Sequence, residues 1–228
     1  MKNLSDLRIL DLGLKPYEEV WLYQKKLQKQ RINNQITDTL ILVEHFPVYT
    51  LGKNAENNHL LQSRDKSVKV FNVERGGDIT FHGPGQLVCY PILDLTHYKK
   101  SISWYMRILE QIIIDTLEHY DLVGRRITGL TGVWVGEDKI AAQGVKISRW
   151  VTMHGFSLNI NPDLLFNDGI IPCGIFHHGV TSVELLLGKK INMNEQKNLF
   201  LAIEKYIKNN IKTIFNLFSI AWGFGVLG

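Results

Sequence analysis

Lys139-Ile-Ala-Ala-Gln-Gly-Val-Lys-Ile147 is followed after four residues by Thr152-Met-His-Gly-Phe-Ser-Leu-Asn-Ile160. Both runs are rich in apolar or β-branched residues, and both lie among Gly-containing segments, which is how adjacent strands read. Working outward, Val68–Val73 and Gln86–Leu93 have the same character. Between the two strand groups lies Ser101–His119, where Ile102, Tyr105, Met106, Leu109, Ile112, Ile113 and Leu117 mark one helical face. Upstream, Leu7–Leu12 reads as a first strand and Thr39–Val43 as a short buried one. Pro16 is expected to open a helix as its first residue, with Val20, Tyr23 and Leu27 at helical spacing. Downstream, a second long helix is expected from about Met193 to Phe215, with Asn192 and Glu195 resembling a capping box. Helices before, between and after two strand groups predict an α+β fold, a mixed β-sheet with flanking helices.

The composition agrees with one globular domain spanning residues 1–228, its tail after about residue 218 frayed. The chain has 228 residues, 45% apolar and 21% charged, with a net charge of +4. Such a composition excludes collagen, coiled coil and disordered polyelectrolytes, and the charge is too small for a nucleic-acid arm. No repeat or low-complexity tract interrupts it. The N-terminus has no apolar core of a signal peptide. The uncharged run Thr213–Gly228 is shorter than the ~20 residues of a membrane span. A soluble chain in a reducing cytoplasm is expected. The two cysteines, Cys89 and Cys173, are no disulfide framework.

Three segments carry the chemistry. Arg75-Gly-Gly-Asp-Ile-Thr-Phe-His-Gly-Pro-Gly-Gln86 holds four glycines, an arginine and His82 in twelve residues. It lacks the Gly-Lys-Ser/Thr ending of a phosphate loop and the third glycine of a dinucleotide fingerprint. A hairpin with a glycine-rich turn and a ligand-cradling loop both fit it. In the second segment, strict alternation would put Lys139, Ala141, Gln143, Val145 and Ile147 on one face and Lys146 on the other. Lys139 is then either a desolvated proton-transfer group or a strand-end lysine reaching for water. In the third, Ile170-Ile-Pro-Cys-Gly-Ile175, the cysteine stands on a constrained turn. Cys173 is the candidate nucleophile, with Lys139, His82, His154 and the His177-His178 pair as potential partners for its thiolate. Cys89, inside Leu87-Val-Cys-Tyr90, reads as a buried hydrophobe. No spacing among these histidines and Cys173 resembles a zinc motif, so no metal is expected.

Taken together, the chain resembles the lipoyl(octanoyl) transferase family. The resemblance runs from about residue 8 to 215. It is carried by Asp11-Leu-Gly13, Glu44-His-Phe-Pro-Val-Tyr-Thr-Leu-Gly52, Arg75–Leu87, Gly129-Leu-Thr-Gly-Val-Trp-Val135, Lys139–Arg149, Thr152–Asn159 and Pro172-Cys-Gly174. It implies the catalytic fold of biotin and lipoate protein ligases and a catalytic dyad of Cys173 and Lys139. It also implies substrate contacts from Arg75, Gly76, Gly77, Asp78, Ile79, Thr80, Phe81 and His82, from Ala142, Gln143 and Gly144, and from Gly155, Phe156 and Ser157. The implied donor is octanoyl-acyl carrier protein. The implied acceptors are the lipoyl domains of 2-oxoacid dehydrogenases and the glycine cleavage H protein. A thioester needs no ATP for transfer to an amine, so no cofactor is expected. His82 and the Gly155 region would then position the reacting carbonyl. Two features depart from the family, the stretch Ile175-Phe-His-His-Gly179 and the tail after Phe218. The competing readings are an ATP-dependent lipoate or biotin ligase of the same fold and a non-catalytic module that binds lipoyl domains.

Overall fold

The computed structural model describes residues 7–171 and 179–193. The chain runs through β1 (Arg8–Lys15), α1 (Tyr17–Ile32), β2 (Thr39–His45), β3 (Val48–Leu51), β4 (Lys69–Asn72), β5 (Ile79–His82) and β6 (Gln86–Ile92). It continues with α2 (Ile102–Glu118), β7 (Arg125–Ile127), β8 (Leu130–Val135), β9 (Asp138–Ser148), β10 (Val151–Asn159) and the short α3 (Val183–Leu187). Seven strands form one mixed sheet in the order β1-β2-β6-β10-β9-β8-β7. Among the described strands, only its β1–β2 pair is parallel. A second sheet, β4-β3-β5, joins a parallel and an antiparallel pair.

Each face of the large sheet has its own core. Helix α2 covers one face, where Tyr105, Leu109, Ile112, Ile113 and Leu117 pack with Leu42, Leu87, Phe156 and Leu158. Helix α1 lies on the other face, where Val20 and Leu27 pack with Ile41, Val88, Tyr90 and Met153. The small sheet has a third cluster around Tyr49, Leu51, Ile79 and Phe81. The expected α+β architecture is therefore present, and among the described residues the sequence periodicity located the long elements to within a few residues.

Four local expectations change. Pro16 is extended (φ −58°, ψ 136°) and caps α1 from outside rather than starting it. Ser101 likewise stands outside α2, its hydroxyl accepting from the Trp104 N–H at 3.3 Å. Ile102, placed on the apolar face by spacing, is 54% exposed, because the first turn overhangs the core. The glycine-rich segment is not a hairpin. Its strand β5 pairs with β3 in the small sheet, while β6 pairs with β2 and β10 in the large one. Gly83-Pro84-Gly85 thus carries the chain from one sheet to the other. The helix expected beyond Met193 and the apolar tail fall outside the described residues, as do Cys173, His177 and His178.

Candidate active site

The crossover at Gly83-Pro84-Gly85 leaves β5 facing the large sheet where β9 and β10 meet. Two adjoining cavities open there. Arg75, His82, Tyr90, Gly144, His154 and Gly155 border the first. Lys139, Gln86, Asn159, Ile170 and Val180 border the second. Thr80, Ala142 and Ser157 border both, so the two form one cleft.

The Arg75 guanidinium is buried. It donates from Nη2 to the Thr50 carbonyl (2.7 Å) and hydroxyl (2.8 Å), and from Nη1 to the Gly76 carbonyl (3.0 Å). The Gly76 N–H donates to the Val145 carbonyl at 3.0 Å, tying the loop to β9. Close backbone approach is possible because position 144 is glycine: a Cβ there would lie 2.6 Å from the Gly76 oxygen. Gly155 is more tightly constrained, since a Cβ would lie 2.1 Å from the Cys89 oxygen on β6.

His82 sits in a hydrogen-bond chain that settles its tautomer. Gln86 Nε2 donates to Asn159 Oδ1 (2.9 Å) and to the Phe81 carbonyl (3.2 Å), so its Oε1 must accept from His82 Nδ1–H (2.7 Å). His82 Nε2 is left as an acceptor, 3.5 Å from the Thr50 hydroxyl. Burial pushes the His82 pKa down to about 3, assisted by His45 and Arg75 and opposed by Gln86. The ring stacks on Tyr17 at 6.0 Å. Neutral His82 is therefore a wall of the cleft and not a proton carrier near neutral pH. His154 is also held neutral, its pKa lowered to about 3 chiefly by burial. It has φ +60°, and its Nε2 stands 3.9 Å from Glu74 Oε2. Glu74 accepts from Trp21 Nε1 at 2.9 Å and has Lys25 and Lys146 at 3.5 Å.

Lys139 lies on β9, but strict alternation fails beside it. Trp134 pairs with Lys139 and Val133 with Ala141, so β9 carries one extra residue, Ile140, against β8. This bulge turns Lys139 away from Ala141. Ala141, Val145 and Ile147 pack in the α2-side core, while Lys139 joins Trp134 on the opposite side. The expectation that Lys139 shares a face with Ala141 is therefore corrected. Lys146 does point away from that core, toward Glu74.

The described residues that flank 172–178 are anchored at this cleft. The Ile171 N–H donates to the His59 carbonyl (2.8 Å), and Ile170 bridges to Leu60. On the far side, the Lys139 N–H donates to the Gly179 carbonyl (2.9 Å) and the Lys139 carbonyl accepts from Thr181 N–H (3.0 Å). The Gly179 N–H donates to Asp138 Oδ1 (3.0 Å). Asn159 Nδ2 donates to the Thr181 carbonyl at 3.0 Å, so the chain from His82 ends beside Lys139.

A family model described as the lipoyl protein ligase A/B catalytic domain matches residues 16–203. The chain belongs to this family. It is 47% identical over 184 residues to an octanoyltransferase of Gloeobacter violaceus, covering 80% of this chain and 82% of that one. Its fold is similar to that of P. falciparum LipL1 solved with lipoate (TM-score 0.69, 16% identity, 90% of this chain and 63% of that one). It is also similar to biotin protein ligase from Aquifex aeolicus (TM-score 0.57, 15% identity, 93% and 72%). The biotin and lipoate ligase architecture implied by the resemblance is thus the observed one.

Within this family fold, the expected substrate residues divide by what they present. Arg75, Thr80, His82, Ala142, Gly144, Gly155 and Ser157 border the first cavity. Gly76 and Gly77 form the neighbouring loop, with the Gly77 carbonyl accepting from Asn54 N–H at 3.1 Å. Asp78 turns aside, to His59 Nδ1 (2.5 Å) and the Ile79 N–H (2.8 Å). Ile79 and Phe81 pack in the small-sheet core and border the second cavity. Gln143 and Phe156 border the first cavity, yet their side chains go to the α2 face. Gln143 Nε2 donates to Glu110 Oε1 at 2.9 Å, and Phe156 packs in the α2-side core. His82 and Gly155 border the first cavity and Lys139 the second. Thr50, Gln86 and Asn159, which fix the cleft, carry no signal in local sequence beyond lying on strands or at their ends. Among the described residues no group of three or more His, Cys, Asp or Glu could hold a metal ion, and no helix is long and apolar enough to cross a membrane. Cys89 is a core residue, its thiol pKa pushed far up by burial.

Proposed function

We propose that this chain transfers an octanoyl or lipoyl group from acyl carrier protein to a specific lysine of a lipoyl domain, through a thioester on Cys173. The observation that carries this reading is the placement of Ile170 and Val180 on the cavity that Lys139 borders. Ile170 and Val180 are described residues on either side of the segment containing Cys173. The acyl chain would lie along the first cavity, with its carbonyl beside Lys139. The walls there mix apolar groups, such as Val88 and the faces of Tyr17 and Tyr90, with the polar edges of Arg75, His82 and His154.

The chemistry starts from a Cys173 thiolate and a Lys139 ammonium. The thiolate attacks the donor thioester carbonyl, and the bond to the phosphopantetheine sulfur breaks. Lys139 gives its proton to that departing thiolate and becomes a neutral amine. The acceptor lysine, entering as a neutral amine, then attacks the Cys173 thioester. Its surplus proton passes to Lys139, the amide forms and Cys173 leaves as thiolate. Protons balance over the cycle, and no nucleotide is consumed. The acceptors would be lipoyl domains of 2-oxoacid dehydrogenases and the glycine cleavage H protein. The compartment would be the cytoplasm, where the thiol stays reduced.

Intact-mass spectrometry with octanoyl-acyl carrier protein tests this. One octanoyl increment is expected, absent in Cys173→Ala and released by apo lipoyl domain. Transfer by Cys173→Ala at the wild-type rate would end the covalent reading. Transfer from free octanoate only when ATP is supplied would favour a ligase.

A further inference from the structure

The bulge at Ile140 brings Lys139 opposite two residues of β8 to which no role has been given. Trp134 is its cross-strand partner. Trp134 is fully buried, and the Lys139 ammonium lies 5.1 Å from its ring centroid, within cation–π range. Gly132 lies two residues back on the same strand and the same side. A Cβ there would come 2.7 Å from Lys139 Cε, 3.4 Å from Nζ and 2.5 Å from the Ala141 carbonyl oxygen. Its φ of +124° is a backbone conformation that side-chain-bearing residues rarely adopt. The lysine stem therefore passes through the space that Gly132 leaves empty.

We propose that Gly132 and Trp134 are positioning residues for Lys139, the glycine opening the path of its stem and the indole face holding its ammonium at the cleft. This rests on the role given to Lys139 above. Packing alone does not account for the indole. Trp134 Nε1 is buried with no hydrogen-bond partner among the described residues. Leaving such a donor unpaired is unfavourable, and a phenyl ring would fill the strand pair without that cost. What the indole adds is the strongest ring face for a cation. The other charged side chain adjoining Lys139 on its own strand, Asp138, faces Gly179, whose N–H it accepts.

The test follows the titration of Lys139 by 13Cε-lysine NMR, assigned by the signal lost in Lys139→Arg, alongside single-turnover acylation across pH. Losing the ring face in Trp134→Leu removes stabilisation of the ammonium. The Lys139 midpoint and the alkaline limb of acylation should both move down by about half a pH unit. Trp134→Phe, which keeps a ring but a weaker face, should move both the same way by less. Gly132→Ala, where it folds, should slow acylation at least about tenfold with its melting transition retained. A Trp134→Leu protein with an unmoved midpoint and limb overturns the inference, whatever Lys139→Ala does. Full acylation by Lys139→Ala instead overturns the role of Lys139, and the inference with it.

Discussion

His82 Nδ1 donates to Gln86 Oε1 at 2.7 Å, and that one bond is the first link of a chain through Asn159 to Thr181, next to Lys139. The chain crosses from the small sheet to the large one, so it holds the two walls of the cleft in register.

Replacing Gln86 by Leu should strand three buried groups: His82 Nδ1–H, the Phe81 carbonyl and Asn159 Oδ1. With about 1–3 kcal/mol for each stranded buried group and partial relaxation, a loss of about 3 kcal/mol is expected. Urea unfolding reads it directly. A change below about 1 kcal/mol would mean the chain is dispensable.

Acid should destabilise the fold before the carboxylates titrate. His45, His82 and His154 have pKa values lowered from 6.5 to about 4, 3 and 3, chiefly by burial. The unfolded chain takes up protons below pH 6.5 that the folded chain refuses until pH 3–4. Stability is therefore full above pH 6.5 and falls as pH drops below it. The slope approaches about 1.4 kcal/mol per pH unit for each histidine. Urea midpoints at pH 7 and 5 should differ markedly, and His154→Gln should reduce the slope by one proton. Equal midpoints would contradict the buried neutral state.

The two cysteines should differ in reactivity. The Cys89 thiol is buried in the α2-side core and burial raises its pKa. Iodoacetamide on the native protein should modify Cys173 and spare Cys89 until denaturant is added. Cys89→Ala should keep acyl transfer and lose roughly 1–2 kcal/mol of stability, by the deletion of a buried group. Native labelling at Cys89 would show that its strand opens.

Gly155→Ala should be severe. Its Cβ would meet the Cys89 oxygen at 2.1 Å and Pro91 Cδ at 2.7 Å, both on the neighbouring β6. The central strands would have to separate, at a cost of about 3 kcal/mol or more. Circular dichroism melting shows the outcome, and a wild-type transition would mean that β6 gives way freely.

The long elements were legible because burial on one face leaves a period in the residues. Helix α2 is the clearest case, with Leu109, Ile112, Ile113 and Leu117 on one side. Strands β3 and β5 were not, being four residues each and far apart in the chain, with β4 between them. The glycine-rich loop was recognisable as unusual. Its path between sheets was not, since local composition says nothing about which strand a strand will pair with. Gln143 borders the cleft as the resemblance implies, but that its side chain reaches Glu110 on the opposite face follows from the strand's register and not from the motif. The face of Lys139 was misassigned for a sharper reason. One unpaired residue in a ladder leaves no mark on hydropathy, yet it inverts every orientation on one side of it.

That inversion makes the spacing in β9 a property separate from its composition. Flattening the bulge at constant length, with Ile140 taking the place opposite Trp134, would keep every side chain named in the chemistry yet turn the amine into the packing under α2. Changes that shift this register should therefore be far less tolerated than substitutions that keep it. Anyone transplanting it to another scaffold must copy its register before its residues.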